Sequence, residues 1–182
     1  MSPKVIPNQN DDISISRFPS ISRRRFLKQI GILGGGLIVY FTTGDSSLSV
    51  GVQSILAAEI GYMEKALAYA NYAVLMDLGN VEGNVKDGCH IASMGASWMV
   101  LVNGFGGMRD HGGELSFHPS LPECFKRLRF PLTFRGQLLE VDIEQEAVTY
   151  LLQEGTGLTI KHQEKEIKLL PGEPVTVKIQ PR

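Results

Sequence analysis

The sequence predicts an α+β chain, with helices first and an antiparallel sheet after them. Three observations predict it. Apolar residues recur at helical spacing through residues 42–107. From Met108 onward they alternate with polar residues, the period of a half-buried strand. Turn pairs such as Arg135-Gly136 and Pro171-Gly172 then cut that second half into short segments. Hydrophobic content of 43% and charged content of 20% are ordinary for a globular chain of 182 residues. With a net charge of −1, nothing argues for nucleic acid as a partner. Cys89 and Cys124 are too few for a disulfide framework or a metal quartet, and read as free thiols.

Residues 1–41 form the first unit. They hold six basic and two acidic residues, a charge of +4 that leaves −5 for the rest of the chain. Residues 1–21 are polar and proline-punctuated, with no period, and are expected to be a disordered tail. Ser22-Arg23-Arg24-Arg25-Phe26-Leu27-Lys28 follows, ahead of the apolar run from Ile30 to Phe41. The pair resembles a twin-arginine export signal and its glycine-rich apolar region. The run of 12 residues is shorter than the roughly 20 needed to span a bilayer. The plain alternative is a basic amphipathic tail.

Residues 42–107 form the helical unit. Thr42, Thr43, Asp45, Ser46, Ser47 and Ser49 crowd a helix start, and Leu48, Val52, Ile55 and Leu56 give that helix an apolar face. A second helix is expected from Met63 to Leu78, with Met63, Leu67, Ala70 and Val74 on one side. Gly79 to Gly88 reads as a loop. The third helix runs from Asp87 to Arg109 and reads as buried. Ile91, Met94, Trp98, Leu101, Val102 and Phe105 share one face, and Ala92, Gly95 and Ala96 lie on another where a neighbour can approach closely. Asp87 is placed to cap its start, and Gly104, Gly106 and Gly107 to end it. His90 then falls in the first turn, beside free backbone N–H groups that attract anions.

Residues 108–182 form the β unit, expected to be a sandwich-type antiparallel sheet of about six strands. If Arg135-Gly136 is a two-residue turn, Leu132 faces Leu139, Phe130 faces Val141 and Leu128 faces Ile143. The opposite face pairs Arg129 with Asp142 and Arg127 with Glu144. Pro131 argues for an edge position or a local break in that strand. Further strands are expected at Ala147–Leu152, Leu158–His162, Glu166–Leu170 and Val175–Ile179. His111, His118 and His162 read as surface or strand histidines. Glu59, Glu64 and Glu82 match no acid motif, and the chain shows no metal-ligand spacing, P-loop or G-x-S-x-G.

Three blocks carry a family resemblance: Thr42 to Tyr62 with its D-S-S-L-S segment, Gly83 to Arg109, and Phe117 to Ile143. Their order and spacing resemble the C-terminal part of glycoside hydrolase family 65, over about residues 42–182. The resemblance implies the last helices of an (α/α)6 catalytic barrel at 42–107 and a C-terminal β-domain at 108–182. It implies membership among inverting phosphorylases of maltose, trehalose, nigerose and kojibiose, cytoplasmic enzymes that take phosphate and an α-glucosyl disaccharide.

Phosphorolysis needs an acid on the leaving oxygen and phosphate on the opposite face of the sugar. The resemblance places phosphate at Ser46, Ser47 and His90, where two helix starts converge on one anion. The bland alternatives are helix capping for the serines and a satisfied histidine for His90. Hydrolases of this fold need a carboxylate base near this point to activate water; the serines favour phosphate over water, and Asp45 keeps the question open. Gly44 stands where some members carry a histidine, which weakens the pocket. The family's general acid lies upstream of D-S-S-L-S and has no counterpart in these residues, so no catalytic residue is assigned. The chain is expected to be an inactive C-terminal piece of a phosphorylase that self-associates or dimerises. The alternatives are an exported β-sandwich module binding sugar or a partner, and one half of a split phosphorylase. No cofactor is expected beyond inorganic phosphate as co-substrate.

Overall fold

A computed structural model describes residues 47–79, 86 and 88–180. The chain is α+β among them: helices α1 (Ser47–Glu59), α2 (Met63–Leu75) and α3 (Ile91–Met99), a π-helix (Val100–Phe105), a 3-10 turn (His111–Gly113), and eight strands. The strands are β1 (Met108–Arg109), β2 (Ser116–Phe117), β3 (Arg127–Phe134), β4 (Gln137–Glu144), β5 (Ala147–Glu154), β6 (Leu158–His162), β7 (Lys165–Leu169) and β8 (Pro174–Lys178). The twin-arginine-like segment, Ser46, Glu82 and Asp87 lie outside the described residues. None of the described helices is long and apolar enough to cross a membrane.

α1 ends in a two-bond reversal. The N–H of Gly61 donates to the Ala58 carbonyl at 3.2 Å and that of Tyr62 to the Ala57 carbonyl at 2.8 Å. Gly61 supplies the left-handed turn at φ +88 that this closure requires. The chain folds straight back into α2, and the two helices pack through alanines. Ala57, Ala58, Ala66 and Ala70 are buried, and the Ser54 hydroxyl donates to the Ala66 carbonyl at 2.7 Å. α3 lies against both. The Ser93 hydroxyl donates to the Ala73 carbonyl at 2.8 Å, and a Cβ built on Gly51 would stand 2.5 Å from that of Ala96. Of the small residues expected on the close-approach face of α3, Ala96 meets Gly51, but Ala92 and Gly95 are exposed and nothing lies within 4 Å of a Cβ built on Gly95.

The expected faces differ from the observed ones. Val52, Val74, Ile91, Met94 and Trp98 are exposed, and Ile91 is 79% exposed. Helical period shows which residues share a face; it does not show which face meets a neighbour. The expected single helix of Asp87–Arg109 also changes form. From Val100 the chain widens into the π-helix, with the Gly106 N–H reaching back to the Leu101 carbonyl at 2.8 Å. A π-turn holds more residues than an α-turn, so it re-phases the face. Val100, Val102 and Phe105 are buried beyond the point where Ile91, Met94 and Trp98 are exposed.

The helices meet the sheets at Phe105 and Gly107. The Phe105 ring packs edge-on against Phe125 at 5.5 Å, and its carbonyl accepts the Ser120 N–H at 2.8 Å. At Gly107, with φ +62, a Cβ would stand 2.1 Å from the His118 carbonyl oxygen, so only glycine fits. Arg109 closes the corner by donating to the carbonyls of Asn103 and Met108 and to Glu59 of α1.

Two four-stranded sheets follow, in the orders β1-β2-β6-β7 and β3-β4-β5-β8. Neighbours are antiparallel except β2 and β6, which run parallel. Phe117, Leu139, Val141, Ile143, Val148, Leu152, Ile160 and Leu169 fill the space between the sheets. The expected hairpin register is the observed one: Leu128 opposite Ile143, Phe130 opposite Val141, Leu132 opposite Leu139. Arg135 and Gly136 both have positive φ, the turn that matches strand twist. Pro131 lies on an edge strand. The ion pairs, however, are diagonal. Arg127 reaches Asp142 and Arg129 reaches Glu140, each two residues nearer the turn than its opposite partner. The right-handed twist swings long side chains into that diagonal. β1 and β2, two residues each, are the strands that raise the expected six to eight.

One polar pair lies within the sandwich. The Tyr150 hydroxyl on β5 and the His162 Nδ1 on β6 are 2.8 Å apart, joining the two sheets. His162, read from sequence as a surface or strand histidine, is a strand residue only 4% exposed. Burial lowers its pKa; the Lys178 carbonyl beside Nε2 opposes this, while His118 and Lys165 add to it.

Candidate functional site

The site is built from three helix ends. Gly51 of α1 lies against Ala96 of α3, and Ile55 packs on Gly104. Contacts that advance together along both segments mean that α1 runs parallel to α3 and its π-helical continuation. Each contact series begins little more than one turn inside its helix, so the starts of α1 and α3 stand at one end. α2 runs the other way. Ala73 meets Ser93 and Asp77 meets His90, which brings its C-terminal end to that same place. Two positive helix starts are thereby side by side.

His90 precedes α3 rather than lying within its first turn. Its carbonyl accepts the N–H groups of Ser93 at 2.8 Å and Met94 at 3.2 Å, which opens the helix. Asp77 holds it at two points. One carboxylate oxygen accepts the His90 backbone N–H at 2.9 Å, and the other lies 2.6 Å from Nδ1. The imidazole is half-buried, its side chain 23% exposed against 17% for Asp77. Hydrogen bonding from His90 holds the Asp77 carboxyl below the usual carboxylate range, against a smaller opposing effect of burial. The ring, its Nδ1 engaged by Asp77, thus sits at the end where the helix starts meet.

Ser47 is the first residue of α1 and so stands at the same end by backbone position; its side chain, like Ser46, lies outside the described part. Asp77 was missed by sequence reading. Its one signal is an acid just beyond a helix C-terminus, where the dipole disfavours negative charge. Glu59 and Glu64 are on exposed helix surface, and Glu59 is paired with Arg109. His111 is exposed on the 3-10 turn and His118 follows β2, both in the β half. Cys89 and Cys124 are free and exposed.

The comparisons with known proteins fall on the same two halves. A family model described as the glycosyl hydrolase family 65 central catalytic domain matches residues 39–99. A second, the C-terminal domain of that family, matches residues 108–169. The first match takes in Val39, Tyr40 and Phe41, the end of the apolar run assigned from sequence to the leader. The chain is 46% identical over 132 residues to an α,α-trehalose phosphorylase of Thermoanaerobacter brockii, covering 72% of the chain and 17% of that protein. It is 36% identical over 128 residues to a maltose phosphorylase of Bacillus subtilis, covering 70% and 17%. A solved structure from the human microbiome, provisionally assigned as a kojibiose phosphorylase, superposes with a TM-score of 0.76 at 27% identity, over 83% of this chain and 22% of that one. The chain thus spans less than a fifth of the length of these two curated relatives. On two adjoining domain matches and this set of relatives, the chain belongs to glycosyl hydrolase family 65, whose disaccharide phosphorylases it resembles over part of the catalytic domain and the C-terminal domain.

Proposed function

We propose that this chain supplies the phosphate side of a family 65 phosphorylase active site. Ser46, Ser47 and His90 hold inorganic phosphate at the paired starts of α1 and α3. The complete enzyme carries out inverting phosphorolysis of an α-glucosyl disaccharide, giving β-glucose 1-phosphate. Phosphate attacks the anomeric carbon from one face while an acid protonates the departing oxygen on the other. In this reading no carboxylate of the chain is that acid, and the sugar pocket belongs to the portion of the catalytic domain that relatives carry upstream. Alone, the chain is inactive. No cofactor beyond phosphate enters the reading.

The observation that carries it is the geometry of His90, pinned by Asp77 at 2.6 Å where two helix starts meet. The phosphorylase names of the relatives support it. A chimera tests it. Residues 42–182 replace the corresponding part of the Thermoanaerobacter trehalose phosphorylase. It should form glucose 1-phosphate from trehalose and phosphate, and His90→Ala should weaken phosphate use by at least about tenfold, or ~1.4 kcal/mol. An active chimera indifferent to His90→Ala removes the phosphate role.

A split enzyme completed by a separate chain is the second reading, favoured by the exposed apolar surface of the helices. A sugar-binding sandwich module lacks such support, because Phe117, Phe130 and Tyr150 are buried. The segment Ser22 to Lys28 is proposed as a twin-arginine signal, against the cytoplasmic location that the family resemblance implies. Residues 1–41 should then carry a reporter that works only after folded export. Arg23→Lys with Arg24→Lys should abolish export, and equal export by the double variant sinks the idea.

A further inference from the structure

We infer that Asp77 is the positioning residue of the phosphate site: it fixes both the ring orientation and the protonated nitrogen of His90, so that Nε2 is the atom presented to the ligand. The ligand in this inference rests on the phosphate reading above; the role of Asp77 does not.

The geometry is a two-point hold. Asp77 Oδ2 accepts the backbone N–H of His90 at 2.9 Å, and Oδ1 lies 2.6 Å from Nδ1. A carboxylate at that distance can only accept, so Nδ1 carries the proton. Nε2 is then bare in the neutral ring and a second donor in the imidazolium. An imidazolium Nε2–H is a charge-assisted donor to an anion, with Asp77 balancing the charge behind it. The same logic orients histidines in metal sites, where a carboxylate behind the ring sets the tautomer.

The position of Asp77 in the chain agrees. It lies just past the end of α2, which closes at Leu75 with Met76 as its cap. There a negative charge faces the negative end of the dipole and is disfavoured. The start of α3, reached through His90, supplies the opposite field. Asp77 is thus placed badly for its own helix and well for the next one. The pair also spans 13 residues of sequence, so it fixes the two ends of the α2–α3 connection relative to each other. The side chain is 17% exposed, leaving the carboxylate largely shielded from water.

The test is nuclear magnetic resonance of the histidine ring nitrogens in the full chain. The wild-type neutral ring of His90 should show a protonated Nδ1 and a bare Nε2. Asp77→Asn places an amide that can donate toward Nδ1, and should shift the ring to the Nε2–H form. Titration with inorganic phosphate should move the wild-type Nε2 signal, and Asp77→Asn should weaken that response by about tenfold or more. Asp77→Glu, which keeps the carboxylate, should recover part of it. Unchanged resonances of helix residues away from the site, such as Ser54 and Ala66 where α1 meets α2, show in each variant that the helical fold is kept. A wild-type ring protonated at Nε2 with bare Nδ1 overturns the inference, whatever the variants do. So does an Asp77→Asn protein with wild-type tautomer and wild-type phosphate response. A tautomer switch without any phosphate shift in either protein supports the positioning role and removes the phosphate reading instead.

Discussion

The two halves of the chain close their cores in opposite ways. The β half fills its interior with Phe117, Tyr150, Leu139, Val141, Ile143, Leu152, Ile160 and Leu169, each at 1% exposure or less. The helical half brings its helices together through alanine, glycine and serine, buries a few larger side chains such as Tyr72, Met76 and Phe105, and leaves many others exposed. Of the ten large hydrophobic residues exposed among the described residues, nine lie between Val52 and Met99, and Leu170 alone lies in the β half. Leu78 is 83% exposed and Ile91 79%. A sandwich of two four-stranded sheets is complete by itself, whereas three helices with apolar outer faces form one part of a larger helical layer. The relatives, about four times as long as this chain, have the length to supply the rest.

The largest effect expected from this contrast is in stability. Phe130 is 6% exposed and packs in the sandwich core, so Phe130→Ala should cost about 3–5 kcal/mol. Trp98, 48% exposed on α3, is larger, yet Trp98→Ala should cost about 0.5 kcal/mol or less. Urea unfolding of both variants checks this, and similar losses would erase the distinction between the halves. Gln137 is a poorer control than its surface position suggests, because its Oε1 accepts the N–H groups of Thr156 and Gly157.

The next effect is on association. The apolar helical surface should make the isolated chain self-associate, through the helices and not the sandwich. Sedimentation velocity should show this, and Trp98→Glu with Met94→Lys should shift the protein toward monomer. A wild-type chain that stays monomeric at high concentration would mean that the exposed faces are tolerated as they stand.

A smaller effect sharpens the contrast from the sandwich side. His162 is buried against Tyr150, and burial lowers its pKa in the folded state. The unfolded value is about 6.5. The unfolded chain therefore takes up the proton first as pH falls, so stability is full above about pH 6.5 and declines below it. Denaturant midpoints measured from pH 8 to pH 5 should fall. His162→Gln should flatten part of that slope, whereas an identical slope in the variant would assign the pH dependence to other groups.

Much of the β half was legible because alternation and a two-residue turn determine register together. Leu128, Phe130 and Leu132 could pair with Ile143, Val141 and Leu139 in one register that put all six apolar side chains on one face. β1 and β2 were not legible, since two residues carry no period. Nor were the helix faces, because the sequence does not say which stripe meets a neighbour, and the π-helix shifts the stripe midway. The site was partly legible. His90 was found through its motif and its place at a helix start. Asp77 was not, because 13 residues and a helix-to-helix connection separate it from His90, and only the fold brings them within 2.6 Å.

The central claim is that the helical half holds one side of an active site and lacks the other. Proton transfer by a general acid is worth roughly 10²–10⁴-fold, and orientation of the sugar several kcal/mol more. Losing both should leave no detectable reaction. The direct measurement is glucose 1-phosphate formation by the purified chain from maltose, trehalose, nigerose or kojibiose with inorganic phosphate. The expected result is none with any of the four sugars. Phosphorolysis that is measurable in the wild-type chain and lost in His90→Ala would contradict the account, because it would require an acid within this chain or from a second copy of it.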